Sequence, residues 1–226
     1  MMYILDTANV EKIKHCVEYY PVAGVTTNPT IISKEHTDFE GLIRTILDII
    51  GKDRMLHIQV TSDAADGMIK EAEALRRIVG DQLYVKIPIC PEGLKATMEL
   101  KKRGFHITET AIFTQQQAMI AACAGADFVA PYVNRLDNIV SDGVNVVGEI
   151  VKLFETHNVP TKVLAASFKT VEQVHKIGMV GGHAVTVNPD LFEQLIYHPL
   201  TMYAIDDFAA DWQTAYGNKK ILDLLK

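Results

Sequence analysis

The run Tyr84-Val85-Lys86-Ile87-Pro88-Ile89 puts a lysine at the centre of a short apolar stretch that reads as a buried strand. Burying an ammonium is costly unless it is paired or gives up its proton. An uncharged lysine amine is a nucleophile that can form a Schiff base with a carbonyl compound. Taken alone, Lys86 also has a structural reading, in which its long side chain carries the charge out to water or pairs with a carboxylate. The choice depends on what the rest of the chain places beside it.

Eight short apolar runs alternate with helical patterns along the chain. The strand runs are residues 3–6, 22–28, 55–61, 84–89, 106–113, 128–133, 162–167 and 184–187, at intervals of roughly 25 residues. Between them, apolar residues recur at helical spacing, as in Val10, Ile13, Val17 and Tyr20 behind a capping Asn9, and Pro29 suits the first position of the helix after strand two. This alternation predicts an α/β fold, a single (β/α)8 TIM barrel over residues 1–226, with about 199–226 as extra C-terminal helices. An open doubly wound sheet is the structural alternative, because pattern alone does not show closure. The glycines of Gly178-Met179-Val180-Gly181-Gly182 follow a helix rather than open one, so they make no dinucleotide fingerprint.

In such a barrel the site lies at the C-terminal strand ends, where residues two apart face the same way. Polar residues fall at those ends around the whole ring: Asp6, Thr26 with Asn28, Gln59, Lys86, Thr108 with Thr110, Tyr132, Ser167 and Thr186. Each has a structural use of its own, capping a turn or satisfying loop backbone. Their convergence on one face around a lysine is the pattern of an active site. A protonated imine withdraws electrons from the neighbouring carbon-carbon bond, so this chemistry needs neither cofactor nor metal. None of the eight histidines has a tight ligand spacing. His57 faces the same side as Gln59 and is expected to be a hydrogen-bonded histidine lower in the barrel.

The formal charge of −6, with lysines and arginines scattered, argues against nucleic-acid or anionic-membrane partners. No apolar run approaches the ~18 residues of a membrane span, and the start shows no signal peptide. Cys16, Cys90 and Cys123 lack CxxC spacing and are expected to be reduced core residues, which places the protein in the cytoplasm.

Five ordered segments then carry a resemblance: Leu5-Asp6-Thr7-Ala8, Gly24-Val25-Thr26-Thr27-Asn28-Pro29, Val85-Lys86-Ile87-Pro88, Ala130-Pro131-Tyr132-Val133-Asn134-Arg135 and Val163-Leu164-Ala165-Ala166-Ser167-Phe168-Lys169. Over essentially its whole length the chain resembles the small transaldolase family of class I aldolases, most closely its fructose-6-phosphate aldolase subfamily. The resemblance implies that Lys86 is the Schiff-base lysine and Asp6 the carboxylate that handles protons during carbon-carbon cleavage. It implies that Gln59, Thr110 and Tyr132 hold a catalytic water, that Thr26 and Asn28 face the substrate, and that Arg135, Ser167 and Lys169 form the phosphate end. The substrates implied are small ketones and sugar phosphates, and the assembly a homo-oligomer, a decamer or pentamer. Transaldolases of the family carry Glu and Phe where this chain has Gln59 and Tyr132, which favours the aldolase; transaldolase is the alternative, and a non-catalytic sugar-phosphate-binding barrel the remoter one. Thr108-Glu109-Thr110 and Val187-Asn188 depart from the subfamily pattern.

Overall fold

In the computed structural model, which describes residues 1–225, eight parallel strands close into a barrel in chain order. They are β1 (Met2–Asp6), β2 (Val22–Thr26), β3 (Met55–Gln59), β4 (Leu83–Pro88), β5 (His106–Ile112), β6 (Phe128–Pro131), β7 (Lys162–Ala165) and β8 (Ala184–Val187). Pairing of Met2–Leu5 with Ala184–Val187 joins the last strand to the first and excludes the open sheet. Helices on the outside connect successive strands, with Asn9 capping its helix as the sequence implies and two further capping boxes that the structure adds. Asn9 Oδ1 accepts the backbone N–H of Lys12, and Thr114 and Thr170 form capping boxes with Gln117 and Gln173.

The barrel interior is filled from below. Ile4, Phe128, Leu164 and Ala184 form a buried cluster, with Met2, Ala23, Met55 and Tyr84 packed against it. Close approach of β2 and β3 requires Gly24, since a Cβ there would lie 2.5 Å from the carbonyl oxygen of Met55. Polar residues occupy the next level, as period-two alternation demands: Asp6 above Ile4, Gln59 above His57, Lys86 above Tyr84.

Six strands end one or two residues before their predicted ends: β2 at Thr26, β3 at Gln59, β4 at Pro88, β5 at Ile112, β6 at Pro131 and β7 at Ala165. Beyond β6, the expected strand residue Val133 instead starts a helix, Val133–Asp137, and only Tyr132 keeps a bridge, to Ala166. On β7 the ladder ends at Ala165, because Ser167 adopts φ 65°, a left-handed conformation that leaves the strand. On β2 the ladder ends at Thr26, and a helix, Pro29–Ser33, starts directly after Asn28 with Pro29 at its first turn. The expectation of three core cysteines holds for Cys16, which is buried; Cys90 is partly buried and Cys123 exposed.

By contacts the chain forms two compact units, Met1–Leu191 with the barrel and a second from Phe192 onward. The second contains helix Pro199–Tyr216, which has no buried residue. No helix among the described residues is long and apolar enough to cross a membrane.

Candidate active site

Asp6 and Thr26 end adjacent strands and pair in register. The Thr26 hydroxyl donates to Asp6 Oδ1 at 2.7 Å and lies 2.6 Å from the Thr186 hydroxyl on β8. With the Thr26 hydrogen committed to Asp6, Thr186 is left to donate, so the three residues form a directed chain across β8, β2 and β1.

Lys86, on β4, is 5% exposed. Its Nζ donates to the main-chain carbonyl of Thr27 at 2.8 Å. Burial pushes the lysine pKa down and the Asp6 charge partly restores it. At Asp6 burial raises the pKa, against the Lys86 charge and the Thr26 hydrogen bond. Both shifts move the groups toward their uncharged forms, which readies the amine as a nucleophile and the carboxyl group for proton exchange. Such a pair can attack a carbonyl at nitrogen and pass a proton at oxygen.

His57 sits fully buried in the same interior. Burial, and then the Lys86 charge, lower its pKa to about 3, so the ring is neutral. Its Nδ1 is 2.9 Å from the Thr108 hydroxyl, as expected of a hydrogen-bonded barrel histidine. Tyr84 stacks on the ring at 4.7 Å and Phe128 meets it at 5.7 Å, which fixes it in place.

Across the barrel the Tyr132 hydroxyl lies 3.0 Å from that of Thr110. Phe113 packs edge-on against the Tyr132 ring, and the Arg135 guanidinium lies over it, 4.7 Å from the centroid. Arg135 is three residues on, in the short helix that begins after Tyr132, so one turn carries both. Two residues here have φ near 60°, Ala111 at a register shift in β5 and Ser167 after β7, and both line the cavity.

That cavity has a volume of about 840 Å³ and gathers Asp6, Thr26, Asn28, Gln59, Lys86, Tyr132, Arg135, Ser167 and Lys169. Thr110 alone of the ten sequence-derived candidates is not among its lining residues; 1% exposed, it stands behind Tyr132 and reaches the cavity through that hydroxyl. Asn28 has one function already engaged, since its Oδ1 caps the next helix at Ile31 N, which leaves the Nδ2 amide for a ligand. Gln59 stands in the wall between the site and a second, apolar cavity of about 580 Å³ lined by Pro29, Ile32, Phe39, Leu75 and Ile78.

Sequence reasoning missed Lys12, Lys34 and Asp190, which line the site, as does Asn188, marked in the sequence only as a departure from the subfamily pattern. Lys12 pairs with Asp190 at the rim. The available signal was positional, since the first turn of a helix that follows a barrel strand lies at the mouth; Lys12 and Asp190 both sit there. Among the described residues, no group of three or more His, Cys, Asp or Glu is placed to hold a metal ion.

Three comparisons bear on this geometry. A solved structure described as "Native KDPGal structure" superposes with a TM-score of 0.60 at 14% identity, covering 88% of this chain and 84% of that one, a likeness of fold alone. A probable fructose-6-phosphate aldolase of Streptococcus pneumoniae is 41% identical over 98% of this chain and 100% of its own length. A probable transaldolase of Brevibacillus brevis is 40% identical over 94% of this chain and 98% of its own. The family description Transaldolase/Fructose-6-phosphate aldolase matches residues 3–220, a span that takes in all eight strands but for the first residue of β1 and every residue of the cavity. A closed barrel with a buried lysine and carboxylate at its mouth, matched from end to end, belongs to the transaldolase/fructose-6-phosphate aldolase family.

Proposed function

We propose that this protein is a class I aldolase that cleaves and forms fructose 6-phosphate from dihydroxyacetone and glyceraldehyde 3-phosphate, with Lys86 as its nucleophile. The observation that carries this reading is the Lys86 amine, 5% exposed, depressed in pKa by burial and facing the same cavity as Asp6. The Lys86 lone pair adds to the ketose C2, and loss of water leaves an iminium. Asp6, as carboxylate, takes the C4 hydroxyl proton; the C3–C4 bond breaks, its electron pair passes to the iminium as an enamine, and the aldehyde leaves. Protonation of the enamine and addition of water then release the ketone. Tyr132, Thr110 and Gln59 position that water, Thr26 fixes Asp6, Asn28 Nδ2 binds donor hydroxyls, and Arg135, Ser167 and Lys169 receive the phosphate.

The choice of aldolase over transaldolase rests on Gln59 and Tyr132, the neutral amide and the hydroxyl that can hold a water for enamine release. Reduction with borohydride in the presence of dihydroxyacetone attaches a three-carbon adduct at Lys86; an unmodified Lys86 would refute the Schiff base. Cleavage of fructose 6-phosphate without an added aldehyde identifies the aldolase, and a strict requirement for an acceptor identifies the transaldolase.

The substrates are accordingly small ketones and sugar phosphates, and the protein works in the cytoplasm as one barrel domain with a helical extension from about residue 199. A homo-oligomer is supported by helix Pro199–Tyr216, whose Leu200, Tyr203 and Phe208 are all exposed. Light scattering gives the mass of the assembly, and a monomer at micromolar concentration would refute it.

A further inference from the structure

Lys86 Nζ has a fixed neighbour that the sequence did not single out. The carbonyl oxygen that accepts from it belongs to Thr27, the residue between the two candidates Thr26 and Asn28. Thr27 is fully buried, and two bonds tie it to the carbonyl of His57, one from its backbone N–H at 2.9 Å and one from its hydroxyl at 3.1 Å. The His57 ring is clamped by Thr108, Tyr84 and Phe128. Thr108 in turn pairs with Lys86 in the β4–β5 register. The following residue is fixed as well, because Asn28 caps its helix. The Thr27 carbonyl is thus held from both sides and aimed at the reacting nitrogen.

A buried lysine needs an acceptor, and that alone would explain one such contact. The chemistry makes the contact directional. A neutral amine carries two N–H bonds and a lone pair. When it adds to a ketone the carbonyl π pair moves to oxygen, nitrogen gives up one proton, and the hydroxyl leaves as water while the nitrogen lone pair becomes the C=N bond. The iminium nitrogen keeps one hydrogen, in the plane of its two carbon substituents. An acceptor 2.8 Å from Nζ and already bonded to it is placed to take that hydrogen.

We propose that the Thr27 main-chain carbonyl is the acceptor for the iminium N–H of Lys86, and that Thr27 thereby fixes the plane of the imine and favours its charged form. With the N–H held on Thr27, the substrate carbon must lie on the other side of nitrogen, which orients the bond to be cleaved before any contact to the phosphate is made. The bond becomes charge-assisted as the imine forms, so it stabilises the intermediate more than the free amine. Asp6 remains the proton carrier, and the carbonyl contributes orientation and charge stabilisation.

This inference rests on Lys86 forming an imine, so the test measures both. The ratio of imine to free enzyme is read by rapid borohydride quench at a fixed dihydroxyacetone concentration, as a function of pH, for wild type, Thr27→Val, Thr27→Ser, and a semisynthetic protein with an ester in place of the Thr27–Asn28 amide. The valine keeps the shape and removes the hydroxyl that ties the carbonyl to His57; the ester weakens the acceptor itself and leaves every side chain intact. Both are expected to lower the imine ratio about tenfold, the scale of one hydrogen bond to a charged group partly lost. Both lower kcat with KM for fructose 6-phosphate little changed, and both move the pH midpoint of trapping downward, since the lost bond favours the protonated nitrogen. Serine restores the wild-type values. If wild-type Lys86 is not trapped, the Schiff-base reading falls and this inference with it. If wild type is trapped and the ester has the same imine ratio and midpoint, the role of Thr27 alone is overturned, whether or not the valine variant folds.

Discussion

Asp6 and Lys86 each push the other back toward its charged form, against a burial that favours the neutral one. Removing one therefore has a signed effect on the other. Asp6→Asn takes away the charge that raises the Lys86 pKa, so the midpoint of borohydride trapping against pH moves further down, while fructose 6-phosphate cleavage falls by about a hundredfold or more, the usual scale for loss of a proton-transfer group. Trapping that keeps its wild-type midpoint would show that the two side chains do not interact. Tyr132→Phe breaks the 3.0 Å hydroxyl pair with Thr110 and is expected to slow free cleavage more than transfer to an added aldehyde; equal loss in both assays would remove the water-holding role. The polar residues of the site were legible because strand ends are easy to find and alternation tells which residues face inward. Thr27 was not, since its contribution is a backbone carbonyl, and no side-chain pattern announces where a carbonyl points. The double use of Asn28 was half legible, since Pro29 at the first helical position makes Asn28 the capping residue, but the split between its oxygen and its amide shows only in the hydrogen bond from Ile31 N.

The strand β5 carries the clearest departure from a quiet barrel. Thr108 and Thr110 face inward, and Glu109 between them points out, fully buried between the sheet and the helix Pro91–Lys102. One carboxylate oxygen accepts from Thr97 at 2.6 Å, and the other has no partner among the described residues. Burial raises its pKa from 4.5 to about 7. Because the folded value lies above the unfolded one, the folded state holds the proton more tightly. The group then costs nothing below the unfolded value, and stability falls as pH rises from near 4.5 to about 7, levelling off above. Holding the charged carboxylate there costs about 3 kcal/mol at neutral pH and above. Glu109→Gln is expected to match wild type in denaturant unfolding at pH 4.5 and to exceed it at pH 8; equal stability at both would mean the carboxylate is solvated. The sequence marked this position as unusual and gave no hint of the cost, because an outward residue on a barrel strand is buried by its helix, and only packing reveals how completely. The element boundaries it misplaced lie where backbone geometry changes sharply, at Ser167 and at the Tyr132–Val133 turn into a helix.

At the scale of the whole molecule, alternation predicted eight strands and their order, but closure depended on whether β8 would reach β1, a contact between residues at opposite ends of the barrel segment. The Asp6–Thr26–Thr186 chain crosses that seam. Its members come from the first, second and last strands, whereas Lys86 and His57 come from β4 and β3 and Thr27 directly follows β2. The two halves of the chemistry are therefore expected to be completed at different stages of folding. Contacts within β2–β4 span fewer residues and close at lower entropic cost than the β1–β8 pairing. Protein refolded from denaturant and sampled over time is expected to regain a reducible imine at Lys86 before it regains cleavage, with the carboxylate's setting completed only when the ends of the barrel meet. Simultaneous recovery of both would mean that the barrel closes before either half forms.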